Sequence, residues 1–180
     1  ILVSLYHGTQ HFWLGLPLYA LFGTTVESLR IVHALFALGV LAALYALLAT
    51  AGLRPWLATL ATAALAVDPV FLFAFRTQSY ITLSPAAWLL LSLLFLLRAE
   101  RDRDAPRAML ASGFLAGFAV QGYFVFGLYV PALALGAWLW SRARSGTAQA
   151  TRDVARWALG LVLGVAGYVV TANSSSSTTS

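Results

Sequence analysis

The sequence predicts an all-α integral membrane protein, a multi-span helical bundle with about six spans. Of its 180 residues, 61% are hydrophobic and 9% are charged, whereas a soluble domain is about 45–50% apolar and about 25% charged. The mean hydropathy is +0.83. Long apolar runs recur along the chain without the alternation that is typical of β-strands.

The N-terminal part is predicted to hold an interfacial segment and two spans. Residues 1–28 combine aromatic residues with glycine and proline, which suits a segment at the outer face of a membrane. Leu29 to Ala51 is long enough for the first span, at roughly 20 residues per crossing. Trp56 to Phe75 forms the second span. We expect Asp68 and Pro69 to break it, because an N-cap acid followed by proline starts a new helix.

The middle of the chain is predicted to hold a third span, a loop and a divided apolar run. Ile81 to Leu97 forms the third span, and Arg98 to Arg107 is predicted to be a solvated loop. Ala108 to Trp140 is too long for one crossing. A turn at Gln121 and Gly122 therefore divides it into two short helices.

The C-terminal part is predicted to hold a second loop and a further span. Arg142 to Arg156 forms the loop, and Trp157 to Ala172 opens a sixth span that the end of the chain cuts, closing a bundle over 29–172. Residues 173–180 form a low-complexity Ser/Thr tail, so we expect the chain to be a piece of a longer protein. Two small-residue motifs favour close contacts between helices: Gly113-x-x-x-Gly117 and Gly160-x-x-x-Gly164.

The arginines divide unequally between two sets of turns, and this predicts the orientation. One set of turns holds nine of them: Arg54, Arg98, Arg101, Arg103, Arg107, Arg142, Arg144, Arg152 and Arg156. Only Arg30 and Arg76 belong to the other set. Because cytoplasmic loops carry the excess of positive charge, residues 1–28, 76–84 and 121–127 are predicted to lie on the outer face.

Composition excludes some classes of site and partner. The chain has no cysteine, which excludes disulfides and thiolate metal sites. Its net charge of +5 comes from arginine alone, and in a membrane protein this excess indicates orientation rather than nucleic-acid binding. No cofactor is expected; a divalent metal is possible but the sequence does not indicate one. The expected location is the plasma (inner) membrane of a bacterium, with the lipid bilayer as a partner.

The residues that are predicted to lie on the outer face, which we call the predicted outer layer, include a candidate anion site. Arg76 is followed closely by Gln78 and Tyr80, and Arg30 lies at the mouth of the first span. A guanidinium group matches a phosphate bidentately, so these arginines could clamp the phosphate of a lipid-linked donor. The alternatives are snorkelling to the headgroups, or pairing with Glu27 or Asp68.

Other polar residues of this layer have two interpretations each. His7 and His11 share a face if helical, which is a metal-like spacing without a nearby third ligand, so interfacial packing or substrate binding is favoured. His33 is either a buried polar residue or part of the pocket. Asp68 is either a general base or the cap of the helix that Pro69 begins.

Four short motifs follow one another in order along residues 6–140. They are Tyr6-His7-Gly8, Leu21-Phe22-Gly23 with Ser28-Leu29-Arg30, Asp68-Pro69 followed by Arg76, and the run Ala111 to Ala119 (ASGFLAGFA). Together they resemble the type-C glycosyltransferases, the superfamily of protein O-mannosyltransferases and of the aminoarabinose transferase of lipid A.

The resemblance implies an enzyme that passes a sugar from a polyprenyl-phosphate-linked donor to an acceptor outside the cytoplasm. The family's catalytic acid lies in the first outer loop, which would precede Ile1. Many relatives carry a lysine where this chain has Gln121, Gly122 and Tyr123, and the chain has no lysine. The predicted donor pocket comprises Arg76, Arg30, His7, His11, His33, Gln78, Tyr80 and Tyr123.

Two other classes compete with this interpretation. A transporter or channel subunit would carry ionisable residues deep in its spans or an inverted repeat, and the sequence has neither pattern. A noncatalytic membrane scaffold remains an alternative.

Overall fold

The computed structural model describes residues 10–76, 80–101 and 105–176. In that part of the chain every element is a helix, and there is no strand. Its elements are α1 (Gln10–Phe22), α2 (Val26–Thr50), α3 (Pro55–Ala66), α4 (Pro69–Arg76), α5 (Tyr80–Arg101), α6 (Ala105–Gly122), a 3₁₀ segment (Phe124–Tyr129), α7 (Val130–Ser145) and α8 (Thr147–Ser176).

The centre of the bundle is the close pairing of α6 with α8, and both predicted glycine motifs lie in it. A Cβ atom at Gly113 or Gly117 would overlap the backbone of α8, and one at Gly160 or Gly164 would overlap the backbone of α6. The two helices therefore touch backbone to backbone, as small residues allow in membrane bundles. The prediction of close helix contact is confirmed.

A buried polar cluster joins α5 to this pair. Ser92 Oγ donates a hydrogen bond to the Ser112 carbonyl oxygen at 2.8 Å, and Trp157 Nε1 donates to Ser112 Oγ at 3.2 Å. All three side chains are buried, and Leu96 and Met109 pack in the surrounding apolar core. Hydrogen bonds between buried side chains fix which faces of the helices meet.

The first predicted span begins three residues earlier than expected, at Val26. The reason is a capping box: the Ser28 N–H donates to Thr25 Oγ1 at 3.2 Å, and the Thr25 N–H donates to Ser28 Oγ at 3.0 Å. This reciprocal pair satisfies backbone donors that have no partner within the helix.

The predicted break in the second span is confirmed. α3 ends at Ala66, and α4 begins at Pro69. Asp68 Oδ1 accepts a hydrogen bond from the Phe71 N–H at 2.9 Å, so its carboxylate caps α4. The predicted turn at Gln121 is likewise confirmed, because α6 ends at Gly122 and a 3₁₀ segment precedes α7.

The predictions that residues 98–107 and 142–156 form loops are wrong, because most of these residues are helical. α5 continues to Arg101 and α6 begins at Ala105, so these helices include most of the first predicted loop, and residues 102–104 lie outside the described residues. In the second, only Gly146, with a φ of +82°, separates α7 from α8. Arginines suit the last turn of a helix because they interact favourably with its dipole. Farther on, α8 extends to Ser176, beyond the predicted span end at Ala172.

The number of spans stays a prediction. Among the described residues, two stretches are long and apolar enough to cross a membrane: Val26–Thr50, with a mean hydropathy of 2.4, and Phe124–Ser145, with 1.6. The predicted second span consists of helices of 12 and 8 residues. Each is shorter than the roughly 20 residues that one crossing needs.

The arginine-rich turns lie at one end of the bundle. A Cβ atom at Gly52 would be 3.8 Å from Arg101 Nη2, which joins the turn after α2 to the end of α5. Arg144, at the end of α7, donates a hydrogen bond to the Ala99 carbonyl oxygen of α5. The structure therefore groups the turns that the arginine count assigned to the cytoplasm.

We expect this end to face the cytoplasm, and cysteine labelling tests it. The given chain has no native cysteine, so Ala148→Cys and Thr24→Cys, both at exposed positions, are its only reporters once any cysteine elsewhere in the full-length protein has been replaced. An impermeant maleimide should label Thr24→Cys in intact cells and Ala148→Cys only after permeabilisation. Labelling of Ala148→Cys from outside would reverse the predicted orientation.

Candidate functional site

Polar side chains from three helices meet at the end of the bundle opposite the arginine-rich turns. Gln10 Nε2 of α1 donates hydrogen bonds to the Phe118 carbonyl oxygen and to Gln121 Oε1, the second at 3.2 Å. Ser84 Oγ of α5 donates to Gln10 Oε1 at 3.1 Å. Both amide hydrogens and the carbonyl of Gln10 are thus used. We call Gln10, Ser84, Gln121 and the Phe118 carbonyl the amide network.

The amide network is closely packed and buried. Gln10 is 4% exposed and Ser84 is 3% exposed. A Cβ atom at Gly122 would lie 2.6 Å from Gln10 Oε1 and 2.7 Å from Pro85 Cγ, so the last residue of α6 has no room for a side chain. A satisfied polar network of this kind fixes one arrangement of the three helix ends.

The amide network adjoins several residues predicted for the donor pocket. His11 follows Gln10 in α1, Tyr80 lies one turn before Ser84 in α5, and Tyr123 follows Gly122. Tyr123 has an extended backbone, and its half-buried ring lies 5.8 Å from the Phe124 ring centroid and 6.4 Å from that of Phe126. The structure thus brings these three predicted positions to one end of the bundle.

Asp68 and Arg76 occupy opposite ends of α4. Eight residues of helical rise separate their backbones by roughly 12 Å. The Asp68 carboxylate caps the helix, which was the structural alternative for this residue. Its role as a general base stays a prediction.

Arg30 and His33 lie one turn apart on α2 and differ in burial. Arg30 is exposed, and it lies within electrostatic reach of Glu27, three residues earlier. His33 is 5% exposed. Arg30 can therefore reach a ligand at the surface, whereas His33 is enclosed by the bundle.

Two predicted pocket residues, His7 and Gln78, lie outside the described residues. For His11, Arg76 and Tyr80 the structure places the backbone within α1, α4 and α5. In the described part of the chain, no group of three His, Cys, Asp or Glu side chains could hold a metal ion.

A family model, that of the dolichyl-phosphate-mannose-protein mannosyltransferases, matches residues 7–169. The chain belongs to this family. The match covers α1 to most of α8 and therefore includes the amide network and α4. The chain is accordingly a glycosyltransferase-family protein with apolar helices suited to a membrane, as the resemblance of its motifs predicted. No curated protein and no solved structure matches it significantly.

The sequence analysis placed Gln10 within the interfacial segment 1–28, and it gave no sign that Gln10 is buried. The structure makes it a supporting residue whose partners lie 74, 108 and 111 positions away. The signal available in the sequence was a polar amide at the start of an apolar helix.

Replacing Gln10 with alanine should destabilise the full-length protein by about 1–3 kcal/mol, because Ser84, Gln121 and the Phe118 carbonyl each lose a buried partner. The measurement is unfolding in detergent. Thr59→Ala is the control: its exposed hydroxyl bonds only to the Pro55 carbonyl of its own helix, so its effect should stay within roughly 0.5 kcal/mol. Equal stabilities of both variants would contradict the role of the amide network.

Proposed function

We propose that this chain is part of a glycosyltransferase that moves a sugar from a polyprenyl-phosphate-linked donor to an acceptor hydroxyl on the non-cytoplasmic face of the membrane. The observation that carries the proposal is the family match over residues 7–169. It favours this function over a transporter or a scaffold.

The two ends of the helical bundle differ in a way that supports the proposal. The arginine-rich turns occupy one end, and the amide network with Tyr80 and Tyr123 occupies the other. A lipid-linked donor enters sideways from the bilayer, so its phosphate lies at headgroup depth, beside the ends of spanning helices. Arg76, at the C-terminal end of α4, has a suitable position to meet it.

The proposed reaction is a displacement at the anomeric carbon. A carboxylate upstream of Ile1 takes the proton of the acceptor hydroxyl, whose oxygen forms the new bond to the anomeric carbon. The bond from that carbon to the phosphate oxygen breaks, and the polyprenyl phosphate leaves with the electron pair, so the configuration inverts. The Arg76 guanidinium stabilises the negative charge that develops on the phosphate.

The same site gives Tyr123 a proposed role. Relatives place a lysine near this position, and the chain offers Gln121, Gly122 and Tyr123 instead. The Tyr123 hydroxyl, in the segment that directly follows α6, is the proposed donor contact. Tyr hydroxyls can donate to phosphate or to sugar oxygens.

The test uses membranes that contain the full-length protein. Radiolabelled sugar should move from a polyprenyl-phosphate sugar to an endogenous acceptor, and no label should move from the corresponding nucleotide sugar once lipid-linked donor synthesis is blocked. Transfer from the nucleotide sugar under that block would contradict the proposed donor class.

A further inference from the structure

A cleft that plays no part in the proposed reaction opens at the arginine-rich end of the bundle. It lies between the end of α5 with the start of α6 and the end of α7 with the start of α8, and its volume is about 370 Å³. The polar side chains that line it include Glu100, Arg101, Arg144 and Gln149. Its size falls within the range of about 300–1,000 Å³ that is usual for small-molecule sites.

One wall of the cleft holds a fixed cation. Arg144 Nη2 lies 3.5 Å from Asp153 Oδ2, and Arg144 Nη1 donates to the Ala99 carbonyl oxygen. Asp153 is fully buried, and it also accepts hydrogen bonds from Ser141, Gln149 and Arg156. The Arg144 guanidinium is thus anchored on two sides, and its side chain remains 29% exposed.

Another wall of the cleft holds the guanidinium group of Arg101. Arg101, the last residue of α5, is exposed and makes no ion pair or hydrogen bond with another described residue. The Asp153 carboxylate is compensated by Arg156 at 3.0 Å as well as by Arg144. Among the described residues that line the cleft, two carry guanidinium groups and one, Glu100, carries a carboxylate.

We propose that this cleft binds the phosphate of an anionic lipid headgroup. Basic pockets between spanning helices on the cytoplasmic side bind anionic headgroups, and nine of the eleven arginines of the chain belong to the segments that the arginine count assigns to that side. Arg101 presents a fork that matches phosphate oxygens bidentately. The Arg144 guanidinium, whose nitrogens are held by Ser145 Oγ, the Ala99 carbonyl oxygen and Asp153, adds a fixed positive charge to the same cleft. Gln149, whose amide donates to Asp153, holds the carboxylate that anchors Arg144.

The experiment is native mass spectrometry of the purified full-length protein released from mixed micelles. The probes are phosphatidylglycerol, phosphatidylcholine and inorganic phosphate. We expect retention of phosphatidylglycerol over phosphatidylcholine by about tenfold, and we expect millimolar inorganic phosphate to leave that preference unchanged. Equal retention of the two lipids would overturn the proposal. Displacement of phosphatidylglycerol by inorganic phosphate would identify a free-anion site and overturn the lipid assignment.

Two matched variants locate the binding. Arg101→Gln should abolish the preference for phosphatidylglycerol, because it removes the unpaired fork from the cleft. Arg152→Gln removes one exposed arginine of α8 that does not line the cleft, and it should keep the preference. Equal losses in both variants would show a diffuse charge effect and overturn the assignment to the cleft. Unchanged melting temperatures establish that both variants are folded.

Discussion

Replacing Arg76 with alanine in the full-length protein should lower sugar transfer about a hundredfold. This is the scale of losing one strong charge contact in the transition state, roughly 3 kcal/mol. The reason is its position: Arg76 ends α4, on the predicted outer side, to which only Arg30 is assigned besides it. A cation at the edge of the hydrocarbon is costly unless it meets an anion or reaches the headgroups. The measurement is transfer from a labelled polyprenyl-phosphate sugar in membranes.

Two variants separate a phosphate contact from a general loss of charge or fold. Arg76→Lys should recover only part of the activity, since a point charge cannot reproduce the bidentate fork. Arg54→Ala removes an exposed arginine from the opposite end of the bundle, and it should transfer normally. Normal transfer by Arg76→Ala at normal protein level would make Arg76 a snorkelling anchor. Lost transfer with a collapsed protein level would make it a structural residue.

The features that sequence predicted correctly depend on local chemistry. Pro69 cannot continue the hydrogen bonding of a preceding helix, so the break before α4 follows from two adjacent residues. The α6–α8 contact follows from glycines four residues apart, which line one face of a helix. In each case the residues that cause the feature are neighbours in the sequence.

The prediction of a loop over residues 142–156 failed because contacts between two helices, rather than the local sequence, determine the structure there. Charged residues in a run are usually solvated, and this run contains four arginines and one aspartate. The structure buries Asp153 against the side chains of Ser141, Arg144 and Arg156, which pairs α7 with α8 and leaves Gly146 as the turn. A buried carboxylate is stable only with such partners, and the linear pattern does not reveal them.

The candidate site likewise has one part that the sequence predicted and one part that it could not predict. The residue types of the predicted outer layer could be read from the arginine count and from the polar residues near the helix ends. The amide network could not, because Gln10 meets Phe118 and Gln121 across more than a hundred residues. Helix packing alone brings them together, and no spacing rule connects the start of α1 to the end of α6.

Replacing Gly113 with alanine should prevent the native pairing of α6 with α8. The added Cβ atom would overlap the Trp157 carbonyl, which is backbone and cannot rotate away as a side chain could. Overpacking in a core typically costs about 1–3 kcal/mol, and here two helix backbones must separate, so we expect a loss of at least about 3 kcal/mol. Separation would also weaken the bond from Trp157 Nε1 to Ser112 Oγ. The measurement is the fraction of folded full-length protein, followed by size exclusion in detergent after heating.

Gly136→Ala in α7 is the matched control for the same chemical change. Its Cβ atom would have Leu96 Cδ2 as its nearest neighbour, at 3.9 Å, which is an ordinary van der Waals distance. Since alanine is favoured over glycine in a helix interior by about 0.8–1.0 kcal/mol, Gly136→Ala should be as stable as the parent or slightly more so. A Gly113→Ala protein that melts together with Gly136→Ala would show that α6 and α8 have room for a methyl group between them. The close backbone contact would then be wrong, and with it the arrangement that holds Ser92, Ser112 and Trp157 together.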